Sequence, residues 1–184
     1  MKGSNQGSNQ GSTERICAGV NMKFKCDHRF GPVSVADYEN LYFDEDFNIA
    51  LCKAVGLHRE LVTREIKDGR VHRVVRVAPD REVPGPVAKV IGSNRLEYTE
   101  TVDYVLGSGR GTWSTLSSVM TDKVDSRGSF AFTTSGDGVT RTIEGEINVK
   151  ITFIGGIVEK FIVDDVVKSY ERAAEFTRTW LAKK

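Results

Sequence analysis

The chain has 184 residues, enough for one domain that buries about 70% of the surface its unfolded form exposes. Lys and Arg number 26 against 25 Asp and Glu, a formal net charge of +1 that sets up no field able to select nucleic acid or an acidic membrane surface. No apolar run approaches the roughly 18 residues that cross a bilayer, and Cys17, Cys26 and Cys52 lack CxxC spacing and follow no secretory h-region, which points to free, inert thiols in a reducing cytoplasm.

In chain order, residues 1–21 contain a Gly-Ser-Asn-Gln repeat with almost nothing to bury. They are expected to be a flexible leader or added linker ahead of one domain over 22–184. Met22, Phe24 and Cys26 alternate with Lys23, Lys25 and Asp27, the period of a strand with one wet face that runs to Phe30. Gly31-Pro32 breaks it. Ser34 then caps a short helix over Val35–Phe43, with Asp37 in its first turn. A second helix over Glu45–Val55 groups Phe47, Ala50, Leu51 and Ala54 on one face and stops at Gly56. From Glu60 the period becomes two, and Asp68-Gly69 between Leu61–Lys67 and Val71–Val77 signals a hairpin. Pro79, Pro84 and Pro86 interrupt the chain, and Val87–Ile91 reads as a helical turn across a sheet edge or mouth, either a lid or a plain surface connection. Four more strands follow over Leu96–Leu106, Thr112–Lys123, Ser129–Thr134 and Val139–Phe153. Their turns are expected at Gly107-Ser108-Gly109, Ser126-Arg127-Gly128 and Gly136-Asp137-Gly138. After Gly155-Gly156 a helical period holds to Trp180. Val158, Ile162, Val166, Tyr170, Ala173, Thr177 and Trp180 form a stripe, with Ile157, Phe161 and Ala174 beside it, while Asp164, Asp165, Lys168 and Glu171 fall on the other face. That stripe needs a large apolar partner, and only the sheet can supply it.

This order of one strand, two short helices, six strands and a long helix places the chain in the α+β class. Its last segment, Gly145-Glu146-Ile147-Asn148-Val149-Lys150-Ile151 leading into Ile154-Gly155-Gly156-Ile157-Val158-Glu159, is a strand ending at a Gly-Gly turn that opens an acidic helix. Over Met22 to Leu181 the arrangement resembles the helix-grip fold of START lipid-transfer domains, birch-allergen-like proteins and polyketide cyclases, the SRPBCC superfamily, and within it an uncharacterised bacterial branch of START-like domains. The resemblance implies a curved seven-stranded antiparallel sheet wrapped around the C-terminal helix, with a ligand held between them and sealed by loops and the short helices. Physical reasoning agrees, because a bent sheet around one helix encloses more concave space than a single stripe fills.

Strand parity suggests which side chains face that space, although one bulge would invert it. In the fourth strand Leu96, Tyr98, Glu100, Val102 and Tyr104 point inward. In the last strand Val139, Ile143, Ile147, Val149 and Ile151 do so, and Arg141 shares their parity. An ionised Glu100 among apolar neighbours is costly unless paired, which makes an internal Glu100 and Arg141 pair conceivable. The other reading puts Glu100 near a strand end and lets Arg141 snorkel to water. Tyr98, Tyr104 and Trp113 are candidates to orient a polar head. Phe130 and Phe132 read as core or as a stacking surface, and Phe161, Ile162 and Val166 present the helix side of the same space.

The first functional expectation is binding of a hydrophobic small molecule or lipid, with transport as its extension and transient membrane contact if lipid is moved. Pro79–Gly92 and the Gly155-Gly156 junction are the candidate moving parts. The second, implied by the resemblance, is a cyclase or aromatase with Glu100 as pocket acid. The third is a ligand-free regulatory or interaction domain. No cofactor is expected. His28, His58 and His72 lie in separate segments without metal-ligand spacing and read as surface imidazoles. No nucleophile elbow or phosphate-binding loop is present, and no sheet face interleaves aromatic with basic residues, so no nucleic acid partner is expected.

Overall fold

The computed structural model describes residues 21–119, 121–151 and 155–183. The leader expected over 1–21, Asn21 apart, and Phe153 at the end of the last expected strand lie outside the described residues.

Strand β1 (Asn21–Phe30) keeps its alternation to the end, so His28 and Phe30 are buried in line with Phe24 and Cys26. The Ser34 hydroxyl accepts the Asp37 N–H at 3.1 Å and opens α1 (Val35–Phe43). The Asp44 carboxylate accepts the Phe47 N–H at 2.7 Å and opens α2 (Glu45–Val55). Each cap satisfies a donor that the helix cannot satisfy itself. Strands β2 (Leu57–Lys67) and β3 (Arg70–Pro79) form the Asp68-Gly69 hairpin, in which both turn residues have positive φ, 51° and 73°, as a twist-matched two-residue turn requires. After α3 (Gly85–Ile91) come β4 (Tyr98–Val105), β5 (Arg110–Ser117), β6 (Val124–Ser135), β7 (Gly138–Val149) and the long α4 (Gly155–Leu181). The seven strands make one antiparallel sheet in the order β1-β7-β6-β5-β4-β3-β2. The sheet curves around α4 in a helix-grip arrangement.

Three expectations are corrected. Ser126-Arg127-Gly128 is not a turn but the interior of β6, and the chain reverses instead between Ser117 and Val124. Gly128 is required there because it faces Gly145 across the β6–β7 ladder and Trp113 across the β5–β6 ladder. A Cβ on Gly128 would lie 2.0 Å from the Glu144 carbonyl oxygen and 2.7 Å from Trp113 Cζ2. The two glycines are therefore a seat for an indole ring, a close approach that only a missing side chain permits. Gly155 and Gly156 are likewise the first residues of α4, not a separate turn, with the Gly155 N–H donating to Ile151 O at 2.9 Å. Finally, Ile157 stands 63% exposed instead of flanking the buried stripe.

Candidate functional site

Between the inner sheet face and α4 lies a cavity of about 260 Å³, closed at one side by α2 and α3. Helix α4 faces it with Val158, Phe161, Ile162, Asp165, Val166, Ser169, Tyr170 and Ala173. Their spacing of three and four residues is that of one helix face. The small Ser169 and Ala173 leave volume in the middle of that face. Strand β3 contributes Arg73, Val75 and Val77, α2 contributes Leu51 and Cys52, and α3 contributes Val87 and Ile91.

Of the candidate site residues, Leu96, Tyr98, Glu100, Trp113, Phe130, Arg141, Ile143, Phe161, Ile162 and Val166 line this cavity. Leu96 does so from the loop ahead of β4, not from the strand. Val102, Tyr104, Phe132 and Ile147 do not. Val102 and Ile147 are fully enclosed in the core. Phe132 packs edge-on against Tyr38, centroids 5.0 Å apart. The Tyr104 hydroxyl donates to Glu39, whose carboxylate also accepts the Gly107 N–H at 2.9 Å. Tyr104 thus ties α1 to the β4–β5 turn, and α1 fills that end of the space.

The internal ion pair is also different from the one parity allowed. Glu100 pairs with Arg73 at 3.7 Å, its diagonal neighbour across the β3–β4 ladder. Arg141 belongs to β7, three strands from β4, which is about 14 Å at the usual strand spacing. It neither meets Glu100 nor reaches water. Arg141 is 5% exposed, packs against the rings of Phe30 and Tyr170 at 5.3 and 5.9 Å, and donates from Nη2 to His28 Nδ1 at 3.3 Å. The same His28 is 2% exposed, so it is no surface imidazole. Because Nδ1 accepts, the ring proton sits on Nε2 and donates to Glu171 Oε1 at 3.2 Å. Asp165, expected on the outer face of α4, turns to the cavity and pairs with Arg81, which ties the Pro79–Gly92 segment to α4. Val83, Val87 and Ile91 of that segment are buried.

Titration follows from burial. Burial, and then the Arg141 guanidinium, push the His28 pKa below its ordinary 6.5, against the opposing pull of Glu171. The unfolded chain therefore binds this proton more readily. Stability from the neutral ring is complete above about pH 6.5 and is lost as pH falls below it. Thermal melts from about pH 7 down to about pH 5 should accordingly show a steeper loss in the native chain than in His28→Gln, whose amide can hold both contacts without titrating. Parallel curves would remove His28 from the acid response. Burial also pushes the Cys52 thiol up to about 11, so near neutral pH it is a cavity-lining thiol and no nucleophile. Burial raises the Tyr98 and Tyr170 hydroxyls well above 10. Among the described residues no group of three or more His, Cys, Asp or Glu is placed to hold a metal ion, and no helix is long and apolar enough to cross a membrane.

Arg73 and Tyr42 line the cavity and were not singled out in the sequence, and Tyr170, placed there on the α4 stripe, was not among the candidate site residues. For Arg73 the signal was present, since it shares parity with the buried Val71, Val75 and Val77. Tyr42 could not be placed without knowing how α1 docks.

A family model described as "Protein of unknown function (DUF2505)" matches residues 27–181. The chain belongs to the DUF2505 family. Solved structures similar to this DUF2505 chain share its fold at low identity. TTHA0849 from Thermus thermophilus is 15% identical with a TM-score of 0.63, covering 89% of this chain and 100% of its own. A point mutant of Thalictrum flavum norcoclaurine synthase in complex with a transition-state analogue is 18% identical with a TM-score of 0.57, covering 90% and 98%. The ZhuI aromatase/cyclase of Streptomyces sp. R1128 is 10% identical with a TM-score of 0.56, covering 87% and 93%. These likenesses show that the DUF2505 chain shares the helix-grip fold of those structures. No curated protein matches the sequence.

Proposed function

We propose that this chain binds a small, mostly apolar molecule in the cavity between the sheet and α4. The observation that carries the reading is the cavity's wall. About 260 Å³ is lined by aliphatic and aromatic side chains from β3 to β7 and the helices, with a few charged groups among them. That is the composition of a small-molecule site, close to the lower end of the usual ~300–1,000 Å³ range. Binding would draw on removal of apolar area from water at about 25 cal/mol per Å², and the polar groups would set orientation. A helix-grip cyclase and a synthase share the fold, which supports a working cavity by analogy without naming its occupant.

Carriage of a lipid, with brief membrane contact in the cytoplasm, is the finer form of the same reading. It would require the Pro79–Gly92 segment to lift by breaking the Arg81–Asp165 pair. A cyclase-type reaction is the second reading, favoured by the position of Glu100 on the cavity wall beside Arg73. Native mass spectrometry of protein purified without detergent tests the proposal. The expected result is an adduct of a few hundred daltons, released by organic extraction and able to raise the melting temperature when added back. Bare protein that is also unmoved by any small apolar compound would overturn it and favour a ligand-free interaction domain.

A further inference from the structure

One charge on the cavity wall has no ion-pair partner, and it specifies the ligand's head group. Six charged residues line it: Arg59, Arg73, Glu97, Glu100, Arg141 and Asp165. Five have an ion-pair partner. Arg59 meets Glu45, Arg73 meets Glu100 at 3.7 Å, Glu97 meets Arg76 at 3.6 Å and Asp165 meets Arg81. Arg141 alone has no carboxylate within ion-pair distance among the described residues. Its positive charge is met by aromatic faces, by a neutral imidazole and by the Tyr38 hydroxyl. A buried guanidinium so placed is costly, because no paired carboxylate offsets its desolvation.

The hydrogen-bond inventory points the same way. Four residues of the cavity wall carry a buried polar atom without a partner: Arg59 Nη2, Arg73 Nε, Trp113 Nε1 and Arg141 Nε. All four are donors. The unpartnered buried acceptors among the described residues, Asn148 Oδ1 and Glu159 Oε2, belong to residues outside the wall. A site whose unmet demand consists only of donors, around one cation with no direct carboxylate partner, is complementary to an acceptor-only group, and an ionised carboxylate is such a group.

Resting on the reading of this cavity as a ligand site, we infer that its occupant is a compact amphipathic acid, whose carboxylate is held by Arg141 and whose apolar body lies along the Val158–Ala173 face of α4. A volume of about 260 Å³, at the lower end of the small-molecule range, suits a medium-chain or single-ring acid better than a two-chain lipid.

The test uses the full chain and two matched pairs near neutral pH: octanoate with 1-octanol, and cinnamate with cinnamamide. Each pair keeps the body and changes the head charge. Calorimetric titration should give an acid at least about tenfold tighter than its neutral partner, the factor expected of a charge-assisted hydrogen bond in a buried site. The pair that binds more tightly tells an alkyl from an aromatic body. Arg141→Gln should erase the preference and leave the neutral compound's affinity within about threefold. Since that variant could fail to fold, the Nε–H resonance of Arg141 in the native chain supplies a second readout: it should shift with the acid and not with the alcohol. Equal affinities within each pair would overturn the inference while leaving an apolar site standing. A preference that survives Arg141→Gln and vanishes in Arg73→Gln would overturn the assignment to Arg141. No binding by any of the four compounds, with no adduct on the purified protein, would overturn the cavity reading itself.

Discussion

Ala173→Phe abolishes the ligand-induced rise in melting temperature and leaves the unliganded chain folded. Ala173 is one of two small residues on the α4 face that meets the cavity, and the side-chain volume it lacks is part of the open space. A phenyl ring there occupies the position of the ligand's body without disturbing a backbone contact. A ligand present at a hundred times its Kd adds about 2.7 kcal/mol to stability. For a chain of this size that is a rise of about 5–10 °C. The variant should lose the whole rise, while its own melting point stays within about 4 °C of the native chain, since filling a void costs far less than overpacking a solid core. Scanning calorimetry with and without the compound recovered from the native protein checks both halves. A full ligand-induced rise in the variant would place the site elsewhere.

Gly128→Ala should cost about 3 kcal/mol or more, a fall in melting temperature of about 6–12 °C. The added Cβ would sit 2.0 Å from the Glu144 carbonyl oxygen and 2.8 Å from Gly145 Cα. Those are backbone atoms held by the β6–β7 ladder, so relief requires the strands to separate. The gain from restricting the unfolded chain, about 0.4–1 kcal/mol, does not offset this. Trp113 is displaced by the same methyl group, at 2.7 Å from its Cζ2, and because Trp113 lines the cavity ligand affinity should fall with stability. Gly156→Ala is the control: apart from its chain neighbours and its own helix backbone nothing lies within 4 Å of its Cβ position, and no loss of stability is expected. Equal melting points for the two variants would show that the ladder yields at the glycine pair.

Legibility in the sequence varied with the range of the interaction concerned. The alternation in β1, the Ser34 cap, the stop at Gly56 and the Asp68-Gly69 turn were readable because each depends on residues within a few positions of one another. Gly128 was misread as a turn because glycine serves both a reversal and a close approach, and the residue it accommodates, Trp113, lies on the next strand. Parity placed Tyr98, Glu100, Arg141 and Ile143 on the correct face. The same parity could not distinguish them from Val102 and Ile147, which face inward where the core is solid.

The sequence by itself determined the element order, the inward faces of β1, β4 and β7 and the amphipathic stripe that α4 must bury, because periodicity and turn chemistry are local properties of the chain. Only the tertiary structure decided where along those faces the interior stays open, that Glu100 pairs with Arg73, and that Arg141 is left with aromatic rings and His28 instead of a carboxylate. Those outcomes depend on how α1 and α4 dock against the sheet and on which strands lie side by side, and burial and charge compensation are set by neighbours distant in sequence.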